Sequence, residues 1–136
     1  MIKLLVSFSA ICLMLCFLYG CSEEGPTISN EGGTTNQAPN APKNPHPSDS
    51  AYIDTTSVVI LTWYCTDPDP NDTIKYDIYI SNTNPPSGTP AASNLVNPSY
   101  GLGIVSSGLT YYWKVVAKDQ KGASTTGSIW RFHTNR

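Results

Sequence analysis

Apolar and polar side chains alternate with a two-residue period in several short stretches of this chain. In residues 57–64, Val59, Leu61 and Trp63 would share one face of an extended strand. The same alternation recurs in residues 74–81, 111–118 and 129–134. After residue 21, no stretch shows the 3.6-residue apolar period of an amphipathic helix. The pattern therefore predicts an all-β chain in which two packed sheets bury one face of each strand.

Turn-forming residues separate the alternating stretches. Residues 67–72 (DPDPND), 82–90 (NTNPPSGTP) and 120–122 (QKG) are rich in Pro, Asp, Asn and Gly, which favour turns. Less regular edge strands are expected around residues 95–102. The chain has 136 residues, which leaves room for one core.

The first twenty residues have the composition of an export signal. Lys3 precedes a run from Leu4 to Tyr19 that contains no charged side chain, which gives the charged start and apolar core of such a signal. A membrane-spanning helix needs about 20 apolar residues, and no cationic cluster follows this run. We therefore expect an apolar signal helix in residues 1–20, with a one-pass membrane anchor as the alternative.

The end of this run, Leu18, Tyr19, Gly20 and Cys21, resembles the lipobox of bacterial lipoproteins. The resemblance implies that Cys21 receives a diacylglycerol group and that the chain is cut before it. Each buried CH₂ contributes about 0.8 kcal/mol, so two or three acyl chains hold a protein durably on a bilayer. Cys21 is therefore the predicted lipidation site and membrane contact.

The residues after Cys21 indicate the membrane in which the protein is expected to be anchored. Ser22 is not the Asp that retains lipoproteins of this family in the inner membrane, so the resemblance implies an outer-membrane lipoprotein. The acidic pair Glu23 and Glu24 is similar to short export tags that place some lipoproteins on the cell surface. An inward-facing outer-membrane location is the alternative.

Residues 21–43 are predicted to be the lipidated cysteine and a flexible, disordered linker. From position 22 onward, this segment contains almost no apolar side chain and is rich in Gly, Pro, Ser, Thr and Asn. Such a segment cannot bury enough surface to offset the entropy lost when it is ordered. We interpret it as a tether between the membrane and a domain that begins at residue 44.

Charge and cysteine usage argue against several classes of function. Without the signal, the chain keeps seven Lys or Arg and ten Asp or Glu, a formal charge of −3, and no basic cluster. This composition argues against a nucleic-acid partner.

The cysteines give no sign of a disulfide. Cys12 and Cys16 lie in the signal, and Cys21 would be acylated. No disulfide is therefore expected, and Cys65 is expected to be a small, buried apolar residue.

Residues 42–136 resemble a fibronectin type III domain, an immunoglobulin-like sandwich of two sheets. The matching stretches are NPHP at 44–47, LTW at 61–63, YDIYIS at 76–81, GLTYYWKVVAKD at 108–119 and SIWRFHT at 128–134. The resemblance implies that Trp63 fills the centre of the sandwich. It also implies that Tyr111 forms the tyrosine corner, in which the hydroxyl bonds a backbone group upstream. We therefore predict a fibronectin type III-like domain over residues 44–136.

One candidate ligand-binding face lies on the predicted third, sixth and last strands. Alternation points Tyr79, Tyr112 and Arg131 to solvent, together with His133. In this fold the third and sixth strands are neighbours, so the two tyrosines would form a flat platform for a sugar or a peptide. Ordinary cross-strand pairing is the alternative.

A second candidate is a calcium loop formed by Asp67, Asp69, Asn71 and Asp72. Calcium is coordinated by six to eight oxygen atoms, and these residues offer oxygens at nearly alternate positions. However, Asp72 stands where a calcium loop has its glycine, and Ile78 stands where it has its bidentate glutamate. A structural turn is therefore preferred, and we predict neither a metal nor another cofactor.

The sequence offers little support for catalysis. His46 and His133 are the only histidines, and no serine, cysteine or acid accompanies either at a spacing typical of a catalytic triad. We therefore expect an exported lipoprotein whose domain is a non-catalytic spacer or a protein-interaction or adhesion module. The alternative is a glycan-binding accessory lipoprotein that uses the aromatic face, and a small hydrolase ranks third.

Overall fold

The computed structural model describes residues 35–136. Within them, nine strands and no helix are found, so no helix there is long and apolar enough to cross a membrane. The predicted signal helix, Cys21 and the first part of the predicted linker lie outside the described residues. The strands are β1 (Lys43–His46), β2 (Ala51–Ile53), β3 (Val59–Tyr64), β4 (Lys75–Ser81), β5 (Ala92–Leu95), β6 (Ser99–Gly103), β7 (Thr110–Lys118), β8 (Ser124–Thr126) and β9 (Trp130–Thr134).

The strands form two sheets. The smaller sheet has the order β1-β3-β6, and the larger has the order β2-β9-β7-β4-β5, with β8 paired to the end of β7. All pairs are antiparallel except β2 with β9, which is parallel. The all-β prediction is confirmed, and each alternating stretch of the sequence forms a strand. The short strands β2 and β8 were not predicted, because three residues are too few to show alternation.

The core consists of the inward-facing residues of both sheets. On β3 the burial alternates strictly, so Val59, Leu61 and Trp63 are buried while Ile60 and Tyr64 are exposed. Fully burying a side chain such as Leu contributes about 1.5–3 kcal/mol relative to leaving it exposed. The largest of the fully buried side chains are Leu61, Ile78, Pro86, Trp113, Val115 and Phe132. The prediction that Trp63 belongs to the core is confirmed.

Aromatic pairs fix the orientation of the core side chains. Trp63 meets the ring of Tyr76 edge-on, with 5.2 Å between centroids. Trp113 and Trp130 lie opposite each other on β7 and β9, with centroids 4.8 Å apart. Such pairs contribute about 0.5–1.5 kcal/mol beyond the area that they bury.

The expected tyrosine corner is present at the start of β7. The Tyr111 hydroxyl accepts a hydrogen bond from the backbone N–H of Ser106 at 3.1 Å, five residues upstream. The Tyr111 ring stacks on Phe132 at 5.1 Å. Between Ser106 and Tyr111, Gly108 adopts a φ of 70°, a left-handed conformation that favours glycine. The corner thus fixes the connection from β6 to β7.

The start of the ordered domain differs from the predicted boundary at residue 44. Residues 36–42 are hydrogen-bonded to the sandwich, and Pro39 and Pro42 are buried. The Asn36 side chain donates to Asp119 Oδ2 at 2.8 Å, and the backbone N–H of Gln37 donates to Asp69 Oδ2 at 2.9 Å. Composition predicted disorder because the segment is polar. Here its amide groups find carboxylate acceptors, and its prolines have little conformational entropy to lose.

Candidate functional site

The predicted ligand-binding residues lie on the outer face of the larger sheet, where the strand register sets their neighbours. On this face Tyr79 of β4 is opposite Lys114 of β7, and Ser81 is opposite Tyr112. Across the next pair of strands, Tyr112 is opposite Arg131 of β9. The structure therefore brings Tyr79, Tyr112 and Arg131 onto one face, as alternation implied. The two tyrosines are diagonal neighbours and not a directly opposed pair.

Tyr79 is covered by a lysine. The Nζ atom of Lys114 lies 5.0 Å from the centroid of the Tyr79 ring, which is a cation–π contact. Tyr79 and Tyr112 are both half-buried. The face therefore presents a mixed array of rings and cations instead of the expected platform of two flat rings. Sequence reasoning missed Lys114 because the strand register decides which ring a lysine covers.

Arg131 is held by its backbone and by one side-chain contact. Its N–H donates to Asp49 Oδ1 at 2.9 Å, and its Nε donates to Ser50 Oγ at 3.1 Å. Arg131 is exposed, and within residues 35–136 it forms no salt bridge. A shallow depression of about 220 Å³ lies beside it, lined by Asp49, Asn84, Tyr112, Ile129 and Arg131. The guanidinium group is therefore oriented and available to an anion.

A third tyrosine extends the face at the β2 edge. Tyr52 is 74% exposed, and its ring stacks on His133 with 4.9 Å between centroids. The Nδ1 atom of His133 is 2.9 Å from Thr110 Oγ1. Sequence reasoning missed Tyr52 because β2 is short and pairs in parallel with β9, which no local pattern indicates. His133, expected on this face, is thus a structural partner of Tyr52 and Thr110.

Cations dominate the rest of the outer face. Lys75 and Lys118 are opposite each other on β4 and β7. On the same face, Asp77 is almost fully buried; it accepts hydrogen bonds from Lys118 Nζ and from the Asn94 N–H. Burial raises the pKa of Asp77, but these bonds and the positive charge of Lys118 outweigh it, so the pKa lies below its usual value. Asp77 therefore stays ionised and balances only Lys118.

The calcium-loop candidates come together at one end of the sandwich. The carboxylate oxygens of Asp67, Asp69 and Asp72 lie within 4.8 Å of one another. The ammonium group of Lys121 lies 3.0 Å from Asp72 Oδ2 and 3.6 Å from Asp69 Oδ2. Asn71 has a φ of 68°, as a residue in a tight turn does.

The chain's own donors bind most of the oxygens of these carboxylates; the exception is Asp67 Oδ2, which is buried without a hydrogen-bond partner among the described residues. The N–H of Asp69 donates to Asp67 Oδ1 at 2.8 Å, and the N–H of Gln37 donates to Asp69 Oδ2. The Gln37 hydrogen bond, with the nearby Lys121 charge, holds the pKa of Asp69 below its usual value. The geometry favours the structural turn, because Lys121 offsets part of the negative charge and backbone N–H groups donate to oxygens of Asp67 and Asp69.

The remaining candidates for chemistry lie apart. His46 is exposed on β1 of the smaller sheet, while His133 lies on β9 of the larger sheet. Cys65 is half-buried and not fully buried as expected, because β3 ends one residue before it. Its thiol donates to the Asn40 carbonyl at 3.1 Å. Burial raises the pKa of this thiol, which makes it less reactive at neutral pH.

Comparison with known proteins identifies the fold. No model of a known protein family matches the chain, and no curated protein matches its sequence. A fibronectin type III-like protein from Clostridium thermocellum is 24% identical, with a TM-score of 0.53 over 74% of this chain and 97% of that chain. The fibronectin type III domain of human fibronectin type III domain containing protein 3 is 22% identical, with a TM-score of 0.54 over 76% and 93%.

A larger protein contains a similar domain. The α-L-rhamnosidase of Streptomyces avermitilis is 14% identical, with a TM-score of 0.54 over 72% of this chain but only 11% of that chain. These likenesses, together with the two sheets and the tyrosine corner, show that residues 35–136 form a fibronectin type III-like sandwich. At these identities they establish the fold alone.

Proposed function

We propose that this chain is an exported lipoprotein of the outer membrane, anchored through Cys21, whose sandwich is a non-catalytic interaction module. The anchor rests on the LYGC sequence at residues 18–21 and on the uncharged run before it. The binding role rests on the side chains that β4, β7 and β9 present on the outer face of the larger sheet. That face carries oriented cations and tyrosine rings, whereas the opposite face of the same sheet is closed by core packing.

A specific observation favours glycans among the ligands that such a module would bind. Tyr112 and Arg131 are opposite each other and border the same depression. A tyrosine ring offers a flat apolar surface to the C–H face of a sugar, and a guanidinium group donates several hydrogen bonds in one plane. This pair supports the glycan-binding accessory role as the second candidate, beside a protein-interaction or spacer role.

The anchor is tested by metabolic labelling with palmitate in a bacterium that has two membranes. We expect the full-length chain to be labelled and the Cys21→Ser variant to lose the label, because the thioether needs the Cys21 sulfur. Cys65→Ser is the matched control and should keep the label.

Two results count against these proposals. Label that persists in Cys21→Ser, or that disappears in Cys65→Ser, contradicts the anchor. Turnover of generic ester, peptide or glycoside substrates that is lost in His133→Ala but kept in His46→Ala contradicts the non-catalytic role.

A further inference from the structure

We propose that the outer face of the larger sheet binds an acidic polysaccharide. The cationic face is defined by Lys75, Lys114, Lys118 and Arg131, with the rings of Tyr52, Tyr79 and Tyr112 between them or beside them. The inference rests on the proposed interaction role and names the chemistry of the ligand.

Positive and negative charges are unevenly distributed over the described domain. Residues 35–136 contain seven Lys or Arg and seven Asp, so the described domain is balanced as a whole. Four of the seven cations lie on the cationic face. Two carboxylates belong to that face: Asp77 is buried against Lys118, and Asp49 lies at the margin and accepts the Arg131 N–H. Four of the other five carboxylates, those of Asp67, Asp69, Asp72 and Asp119, lie near Lys121 at one end of the sandwich, which we call the loop end.

The spread of the cations indicates a long ligand. Lys114 and Lys118 are four residues apart on β7, which corresponds to about 13 Å along a strand. Tyr112, beside Arg131, lies two residues further on, at about 20 Å from Lys118. A small anion would meet only one of these cations. A polymer that carries a charge on each repeat would meet several at once, and linked contacts strengthen one another.

The tyrosines favour a polysaccharide over an acidic peptide. Tyr52 is largely exposed at one end of the face, and Tyr112 lies on β7, the central strand of the larger sheet. An extended peptide gains much of its affinity by adding a strand to a sheet edge. On this face β4, β7 and β9 are interior strands whose backbone groups already bond to neighbours. A polysaccharide needs no backbone ladder, because its hydroxyl groups bond to side chains and its rings stack on tyrosine.

Single-stranded nucleic acid is also a polyanion that stacks on aromatic rings. The predicted export of the chain argues against that ligand. Tighter binding of nucleic acid would overturn the proposal.

The test measures binding of the full-length chain in detergent to polygalacturonate by biolayer interferometry. We expect salt-sensitive binding to polygalacturonate and none to the neutral polymer dextran, because exposed charges are screened beyond about 8 Å at physiological ionic strength. Lys114→Gln should weaken binding up to about fivefold, and combination with Arg131→Gln should weaken it about tenfold or more.

The chain offers a matched control on the other sheet. Lys43 lies 5.4 Å from the centroid of the Tyr64 ring, the same kind of contact that Lys114 makes with Tyr79. Lys43→Gln should change affinity less than about twofold, since Lys43 is remote from the cationic face. Equal thermal melting of all variants would show that a loss of binding does not arise from unfolding.

Several outcomes would overturn the proposal: no binding to polygalacturonate, equal binding to dextran, or equal weakening by Lys43→Gln. Binding to poly-L-glutamate or to single-stranded DNA that is tighter than binding to polygalacturonate would also overturn the proposal, and would indicate an acidic peptide or a nucleic acid as the ligand. Palmitate labelling is a separate measurement. A chain whose label depends on Cys21 but that binds no polygalacturonate would overturn this inference and leave the anchor in place.

Discussion

Tyr111 and Tyr112 are adjacent residues of the same type with opposite roles. The Tyr111 side chain points into the sandwich, stacks on Phe132 and accepts the Ser106 N–H. The Tyr112 side chain points to the outer face, beside Arg131. Within residues 35–136, its hydroxyl has no hydrogen-bond partner. Replacing each tyrosine by phenylalanine therefore compares a hydroxyl that stabilises the fold with a hydroxyl on the outer face.

We expect Tyr111→Phe to lower the free energy of unfolding by about 1 kcal/mol, the usual net contribution of one hydrogen bond. Urea unfolding of the full-length chain in detergent, followed by tryptophan fluorescence, measures this change. Tyr112→Phe is the control and should change the value by less than about 0.5 kcal/mol. Equal effects of the two substitutions would contradict the assigned roles.

The sequence predicted some residue roles and not others, for a physical reason. Trp63 and Tyr111 were predicted because their positions follow from alternation and from the resemblance of single stretches. Two contacts were not predicted: that of Lys114 with Tyr79 and that of Tyr52 with His133. Each contact joins two strands, and their register is set by the whole sandwich. The members of the outer face were therefore partly predictable, but their contacts were not.

At the scale of elements, the segment before β1 is the main departure from the sequence prediction. Residues 36–42 run along the sandwich, and the Asn40 N–H donates to the Thr66 carbonyl at 2.9 Å. Pro42 packs against Gly127, where an added Cβ would lie 3.3 Å from the Pro42 Cβ and from the Val115 carbonyl oxygen. Because the segment is polar, composition could not indicate that its hydrogen bonds are made within the chain.

Gly127→Ala tests whether this contact holds the segment in place. The new methyl group would lie 3.3 Å from Pro42 and from the Val115 carbonyl oxygen, so Pro42 or the β7 backbone would have to shift slightly, and we expect a loss of about 1 kcal/mol in the free energy of unfolding. We also expect faster proteolysis within residues 35–42. Both are measured by urea unfolding and by limited proteolysis with mass spectrometry.

The control for this prediction is Gly101→Ala on β6. A Cβ added there meets nothing within 4 Å, and Gly101 is not among the residues with a positive φ. The free energy of unfolding should change by less than about 0.5 kcal/mol. If the two variants behave alike, the close packing of Pro42 on Gly127 does not stabilise the segment.

At the scale of the whole molecule, the described domain separates its charges. Lysines and Arg131 gather on the outer face of the larger sheet, and most carboxylates gather at the loop end around Lys121. The balance of seven cations and seven carboxylates hides this separation from any reading of composition alone. The fold class was predictable because alternation is local, whereas the separation appears only when the strands are paired.

Binding at the cationic face is tested by lysine acetylation of the full-length chain, with and without polygalacturonate, quantified by mass spectrometry. Bound polymer should slow acetylation of Lys75, Lys114 and Lys118 on the cationic face. Acetylation of Lys43, which is exposed on the smaller sheet, should not change. Equal protection of Lys43, or unchanged acetylation of Lys114, would contradict the claim that the outer face of the larger sheet is the binding surface.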